Sequence, residues 1–91
     1  MQNNRSYNSK RPIDYLKESI NKVILLKVKR NRLFRATLLS FDEHLNLFLR
    51  DASQIFEYTD DDGSIIEETE DIGTIVMRGV NIIFVCLADE S

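Results

Sequence analysis

His44 and Asn46 are the residues best suited to engage a ligand. One is a flat imidazole that can stack, and the other, two residues on, is an amide that both donates and accepts hydrogen bonds. They sit in Ser40-Phe41-Asp42-Glu43-His44-Leu45-Asn46-Leu47-Phe48-Leu49, a polar turn between two apolar stretches. Strand-like alternation predicts Leu45, Leu47 and Leu49 on one face and Asn46, Phe48 and Arg50 on the other. His44 then projects to the same side as Asn46. The pair suits a planar, hydrogen-bonding ligand such as a nucleobase. Taken singly, His44 reads as an ordinary turn residue and Asn46 as a cap on a backbone group. Arg78 reads as a salt-bridge partner of Asp42, and Asp42 as the residue that fixes the turn.

Other chemistry is poorly served. A chain of 91 residues has one histidine, no nucleophile–base pattern, no metal-ligand spacing and no glycine-rich phosphate loop. The expectation is a protein that is not an enzyme and uses no cofactor. The acidic run Thr59-Asp60-Asp61-Asp62-Gly63-Ser64 lacks EF-hand spacing and reads as a solvated loop rather than a cation site. The single cysteine, Cys86, lies in an apolar run and reads as a buried structural thiol. It cannot form an internal disulfide, which fits a reducing, cytoplasmic setting. No apolar run approaches the roughly 18 residues of a membrane span, and the polar start is no signal peptide.

The net charge of −3 conceals an asymmetry. Residues 1–35 carry ten Lys or Arg against two acids, whereas residues 36–91 carry two against thirteen. Such a division points to a polyanion partner for one surface. Two solvated sets that partly neutralise each other would look the same. Lys27, Lys29, Arg30, Arg32 and Arg35 are candidates for backbone contact only.

Several elements must position the turn. A flexible polar tail is expected over residues 1–10; Arg5, Lys10 and Arg11 could trail onto a phosphate backbone, and a plain disordered tail would read the same. A short helix follows over 13–19, opened by Pro12, with Ile13, Leu16 and Ile20 as its apolar stripe. At about two turns it must cap something else. Strands are expected over 23–29, 32–41, 45–52, 54–59, 72–77 and 81–87, with the acidic loop between 59 and 71. Arg30-Asn31 reads as a turn in which Asn takes the left-handed conformation, and Arg78-Gly79-Val80-Asn81 as one in which Gly79 takes a positive φ. Short, evenly spaced strands imply a small, strongly bent barrel or sandwich. Ile82-Ile83-Phe84-Val85 is apolar at consecutive positions, so it needs cover on both faces or along its edge. Pairing with a second copy would supply it.

Two segments in this order resemble the Sm-like (LSm) family, closest to its archaeal members. The first runs from Val23-Ile24-Leu25-Leu26-Lys27-Val28-Lys29 through Phe34-Arg35-Ala36-Thr37-Leu38 and Phe41-Asp42-Glu43-His44-Leu45-Asn46-Leu47 to Asp51-Ala52. The second is Ile75-Val76-Met77-Arg78-Gly79-Val80-Asn81-Ile82-Ile83-Phe84-Val85. The resemblance covers residues 11–88, with short tails on either side. It implies a helix capping a five-stranded, bent antiparallel SH3-like barrel. It also implies rings, commonly of seven subunits, in which the fourth strand of one copy pairs with the fifth of the next. Family members bind uridine-rich single-stranded RNA at the inner rim of the pore, in RNA processing, protection or ribonucleoprotein assembly with other RNA-processing proteins. The base stacks between the His44 and Arg78 positions, and Asn46 reads the uracil edge. A ring serving mainly as a protein scaffold, with weak RNA contact, is the alternative.

Three positions depart from the pattern. Val80 stands where many archaeal relatives carry Asp or another polar residue, which predicts a missing support for the asparagine. Ala36 stands where glycine usually eases the bend of the second strand. Arg30-Asn31 replaces a glycine-containing turn.

Overall fold

The computed structural model describes residues 11–88. The expected tails over 1–10, with Arg5 and Lys10, and over 89–91 lie outside the described residues. Helix α1 (Pro12–Glu18) precedes five strands: β1 (Val23–Val28), β2 (Arg32–Phe41), β3 (Leu47–Thr59), β4 (Ile65–Met77) and β5 (Ile82–Leu87). A single 3₁₀ turn, Gly79–Asn81, joins the last two. All strand pairs are antiparallel and the order is β4-β3-β2-β1-β5. The architecture is the expected one, mainly β, with a helix on a bent five-stranded barrel whose edge strands are β4 and β5.

Alternation builds the inner face. Ile24, Leu26 and Val28 of β1 meet Phe34, Ala36 and Leu38 of β2, then Leu47, Leu49 and Ala52 of β3 and Met77 of β4, in one buried cluster. Leu16 and Ile20 pack the helix end onto it. That burial holds a seven-residue helix which would not persist alone. Asp14 helps at its start, accepting the Arg11 backbone N–H at 2.9 Å.

The bends are local. Pairing of β2 with β3 shifts between Arg35 and Thr37 and again between Leu38 and Ser40. Strands β3 and β4 kink at one level, where Asp51 (φ 54°) and Gly73 (φ 99°) both take left-handed backbone. Ala36 lies at the first β2 shift, 1% exposed and without a positive φ. Its methyl fills the core, so the bend needs no glycine there.

Several expectations are corrected. Leu45 is not a strand residue: it sits in the turn at φ 61°, 39% exposed, and only Leu47 and Leu49 face the core. Strand β3 is continuous where two strands, 45–52 and 54–59, were expected. Strand β4 starts at Ile65 rather than 72, so residues 67–71 are strand, not loop. These residues pair with β3, while β2 reaches β3 only as far as Ile55. Beyond that point the hairpin has no third strand and no buried face. In the β1–β2 turn both Arg30 (φ 68°) and Asn31 (φ 59°) are left-handed. Cys86 is half-buried in the protomer, on an edge strand, rather than enclosed. Among the described residues no helix is long and apolar enough to cross a membrane.

Candidate nucleic-acid interface

The β2–β3 turn is organised by one carboxylate. Asp42 Oδ1 accepts the backbone N–H groups of His44 and Asn46, each at 2.9 Å, and its Oδ2 accepts the Asn46 side-chain amide at 3.0 Å. The Leu45 N–H reaches the Asp42 carbonyl at 3.0 Å, closing the turn that places Leu45 in the left-handed region. The reading of Asp42 as the residue that fixes this turn agrees with these bonds. The salt bridge between Asp42 and Arg78 does not form: among the described residues the Arg78 side chain makes no ion pair.

Asn46 is tied from a second direction. Its Oδ1 accepts the backbone N–H of Gly79 at 2.8 Å, a contact across 33 residues of sequence. An N–H cannot accept and a carboxylate cannot donate, so only one orientation of the amide satisfies both neighbours. The amide is locked against flipping. One N–H of Nδ2 and one lone pair of Oδ1 have no partner among the described residues.

Gly79 makes this approach possible. A Cβ there would stand 2.6 Å from the His44 carbonyl oxygen and 2.7 Å from that of Leu45. The expected positive φ is absent; proximity of two backbones, not left-handed geometry, is what demands glycine. The Arg78 carbonyl accepts the Asn81 N–H at 3.0 Å, which keeps the turn tight. Arg78 therefore stands one residue from the backbone that touches the His44 carbonyl. Its side chain is exposed, as is that of His44, at 75%. His44 Nε2 lies 3.7 Å from Glu43 Oε1, a contact between two exposed groups that contributes little.

The structure thus gathers His44, Asn46 and Arg78 at one end of the sheet, through two turns that touch. Lys29, Arg30 and Arg32 gather at the other end, across the ten-residue length of β2. Sequence reading nominated His44, Asn46 and Arg78 and named Asp42 as the residue that fixes the turn, and it missed Gly79 as a spacer between two backbones. The signal available for Gly79 was a lone Gly directly after the distant Arg.

The Asp42 carboxyl titrates below the ordinary aspartate value of 3.8, chiefly because the Asn46 side-chain amide donates to it, with the backbone N–H groups of Asn46 and His44 adding to the effect. A lowered folded pKa means that the support is complete above the unfolded value and is lost as pH falls through the folded one. In an NMR titration of the His44 and Asn46 amides we expect a midpoint below 3.8. A midpoint at or above that value would show that the turn does not depend on these bonds.

Comparison with known proteins gives a consistent answer. Residues 14–87 match the LSM domain family. An snRNP Sm-like protein of Thermococcus kodakarensis is 36% identical over 75 residues, spanning 82% of this chain and 88% of that protein. Its counterpart in Methanococcoides burtonii is 35% identical over 75 residues, 82% of this chain and 93% of that one. Among solved structures, a heptameric archaeal Sm protein superposes with a TM-score of 0.62 at 36% identity, covering 81% of this chain and 96% of its own. The Pyrococcus abyssi Sm protein in complex with a uridine heptamer gives 0.67 at 32% identity, covering 87% and 100%. Matched in family, sequence and fold over most of its length, the chain belongs to the LSM, or Sm-like, family.

Proposed function

We infer that the chain is a subunit of a homo-oligomeric ring that binds uridine-rich single-stranded RNA at its inner rim, in RNA processing, protection or ribonucleoprotein assembly. His44 and Arg78 stack the base and Asn46 reads its edge. The locked amide of Asn46 carries this reading. Along its pairing edge uracil offers an O4 acceptor beside an N3–H donor, whereas cytosine offers an N4 donor beside an N3 acceptor. An amide that cannot flip suits one order once stacking has fixed the base. Stacking contributes about 1–3 kcal/mol per base and is tolerant of sequence, so the amide must supply selectivity. Val80 does not weaken it: that side chain is 71% exposed, and the amide draws its support from Asp42 and the Gly79 backbone.

The edges support a ring. Ile83 and Phe84 of β5 are 61% and 51% exposed beside a groove of about 810 Å³ that Tyr15 and Leu16 of the helix also line. Strand β4 starts with Ile65 and Ile66, is acidic over 67–71 and is largely apolar in its last six residues, 72–77. That apolar stretch has the six-residue length of β5, so head-to-tail pairing buries the matching halves and can close a ring. The heptamer of the similar archaeal Sm structure is in keeping with seven copies.

The test is affinity for short oligo-uridine and oligo-cytidine at two salt concentrations, with the mass of the assembly measured alongside. We expect a ring that prefers oligo-uridine, weakens with salt as phosphate contacts release counterions, and loses its preference in Asn46→Ala. A ring that ignores both oligomers would leave a protein scaffold in place of the RNA-binding reading.

A further inference from the structure

The outer half of the β3–β4 hairpin takes no part in the RNA site or the matched edges. From Ser53↔Asp71 to Thr59↔Ile65 its ladder runs without a shift, and past Ile55 no third strand covers it. Strand alternation places Gln54, Phe56 and Tyr58 on one face with their partners Glu70, Glu68 and Ile66. Both rings are bare, Phe56 at 41% and Tyr58 at 49% exposure. The Tyr58 hydroxyl donates to one oxygen of Glu68 at 3.2 Å, and the other oxygen has no partner among the described residues. No Lys or Arg occurs between Arg50 and Arg78, and among the described residues none of the hairpin acids forms an ion pair.

We propose that this face docks an extended, arginine-bearing segment of a partner protein, with arginine at every second position. A row of rings on β3 beside a row of carboxylates on β4 is what a guanidinium requires. Its plane lies on the ring while its edge donates to the carboxylate, a combination that the compact ammonium of lysine cannot match. The interval also agrees. Residues two apart on a strand stand about 6.6–6.8 Å from each other, so Phe56 and Tyr58, like Glu68 and Glu70, repeat at the spacing of alternate side chains on an extended partner. Charge selects the occupant. The density of carboxylates repels nucleic acid, and the apolar strand edges that a second copy would use lie elsewhere. The proposal stands whether or not the other end of the sheet binds RNA.

The test uses the full chain in its assembled state and three labelled twelve-residue peptides, followed by fluorescence anisotropy. One alternates Arg with Ser, one alternates Lys with Ser, and one carries the same arginines in a block. We expect the alternating arginine peptide to bind at least about fivefold more tightly than the other two. The double variant Phe56→Ser/Tyr58→Ser should reduce it to the level of the lysine peptide. Equal affinity for all three peptides, no binding, or a preference that survives the double variant would overturn the proposal. So would a change in assembly mass in that variant, because a second copy would then be the occupant. Should the variant fail to fold, the comparison among peptides on the unaltered chain still decides.

Discussion

Alanine at position 79 is expected to lower stability by about 2–6 kcal/mol and to abolish any preference for oligo-uridine. Overpacking typically costs about 1–3 kcal/mol, and loss of a hydrogen bond to a partly buried group adds about 1–3 more. Both apply here. The new methyl would fall on two carbonyl oxygens, of His44 and Leu45, that belong to backbone and cannot rotate away. The turn must retreat, and the Gly79 N–H then leaves Asn46 Oδ1. Chemical denaturation measures the first effect and oligomer affinity the second. Because Gly79 has no positive φ, a substitution there would be harmless if the close approach were absent. Unchanged stability would therefore refute the close approach, not merely its size.

Phe84→Asp is expected to reduce the assembly to single chains of 10.6 kDa. Phe84 is 51% exposed in the protomer, so the change leaves the core intact. In a ring, however, it puts a carboxylate into every subunit contact, and desolvating such a charge costs several kcal/mol each time. Affinity for long oligo-uridine should fall with it by about 10²–10⁴, the factor that linked sites supply beyond a single one. Ile65→Asp is the matched control. It is 75% exposed at the far end of the hairpin and should leave the mass unchanged in analytical ultracentrifugation. Loss of assembly in both variants would argue against pairing through the apolar half of β4.

The two predictions separate what sequence could disclose from what it could not. The core was legible because Ile24, Leu26, Val28, Phe34, Ala36 and Leu38 alternate against a single buried face. The outer hairpin was not, because alternation reports a half-buried strand rather than a strand as such. Glu67, Glu68, Glu70 and Asp71 are all exposed, and nothing in their polarity distinguishes a paired ribbon from a loop. Leu45 misled for the opposite reason: its apolar type continued the pattern of Leu47 and Leu49, while the Asp42 bonds forced the backbone to turn. His44, Asn46 and Arg78 could be nominated from residue type and the family pattern. Asp42, whose three donors lie within four residues of it, was legible too, whereas the Gly79 spacer stands 33 residues from Asn46, outside any local window.

The paired kinks at Asp51 and Gly73 have an evolutionary consequence. Strand β3 uses as many residues from Leu49 to Ser53 as β4 uses from Asp71 to Ile75, so the same partner register holds on both sides of the irregularity. Deleting or inserting one residue on each strand beyond it leaves every pair from Leu47↔Met77 to Leu49↔Ile75 where it was. The tip can thus be lengthened, shortened or recharged by a lineage without a compensating change in the barrel or in the turns that hold Asn46. Length variation among descendants of this chain should concentrate beyond Ser53 and Asp71, in steps that add equally to both strands.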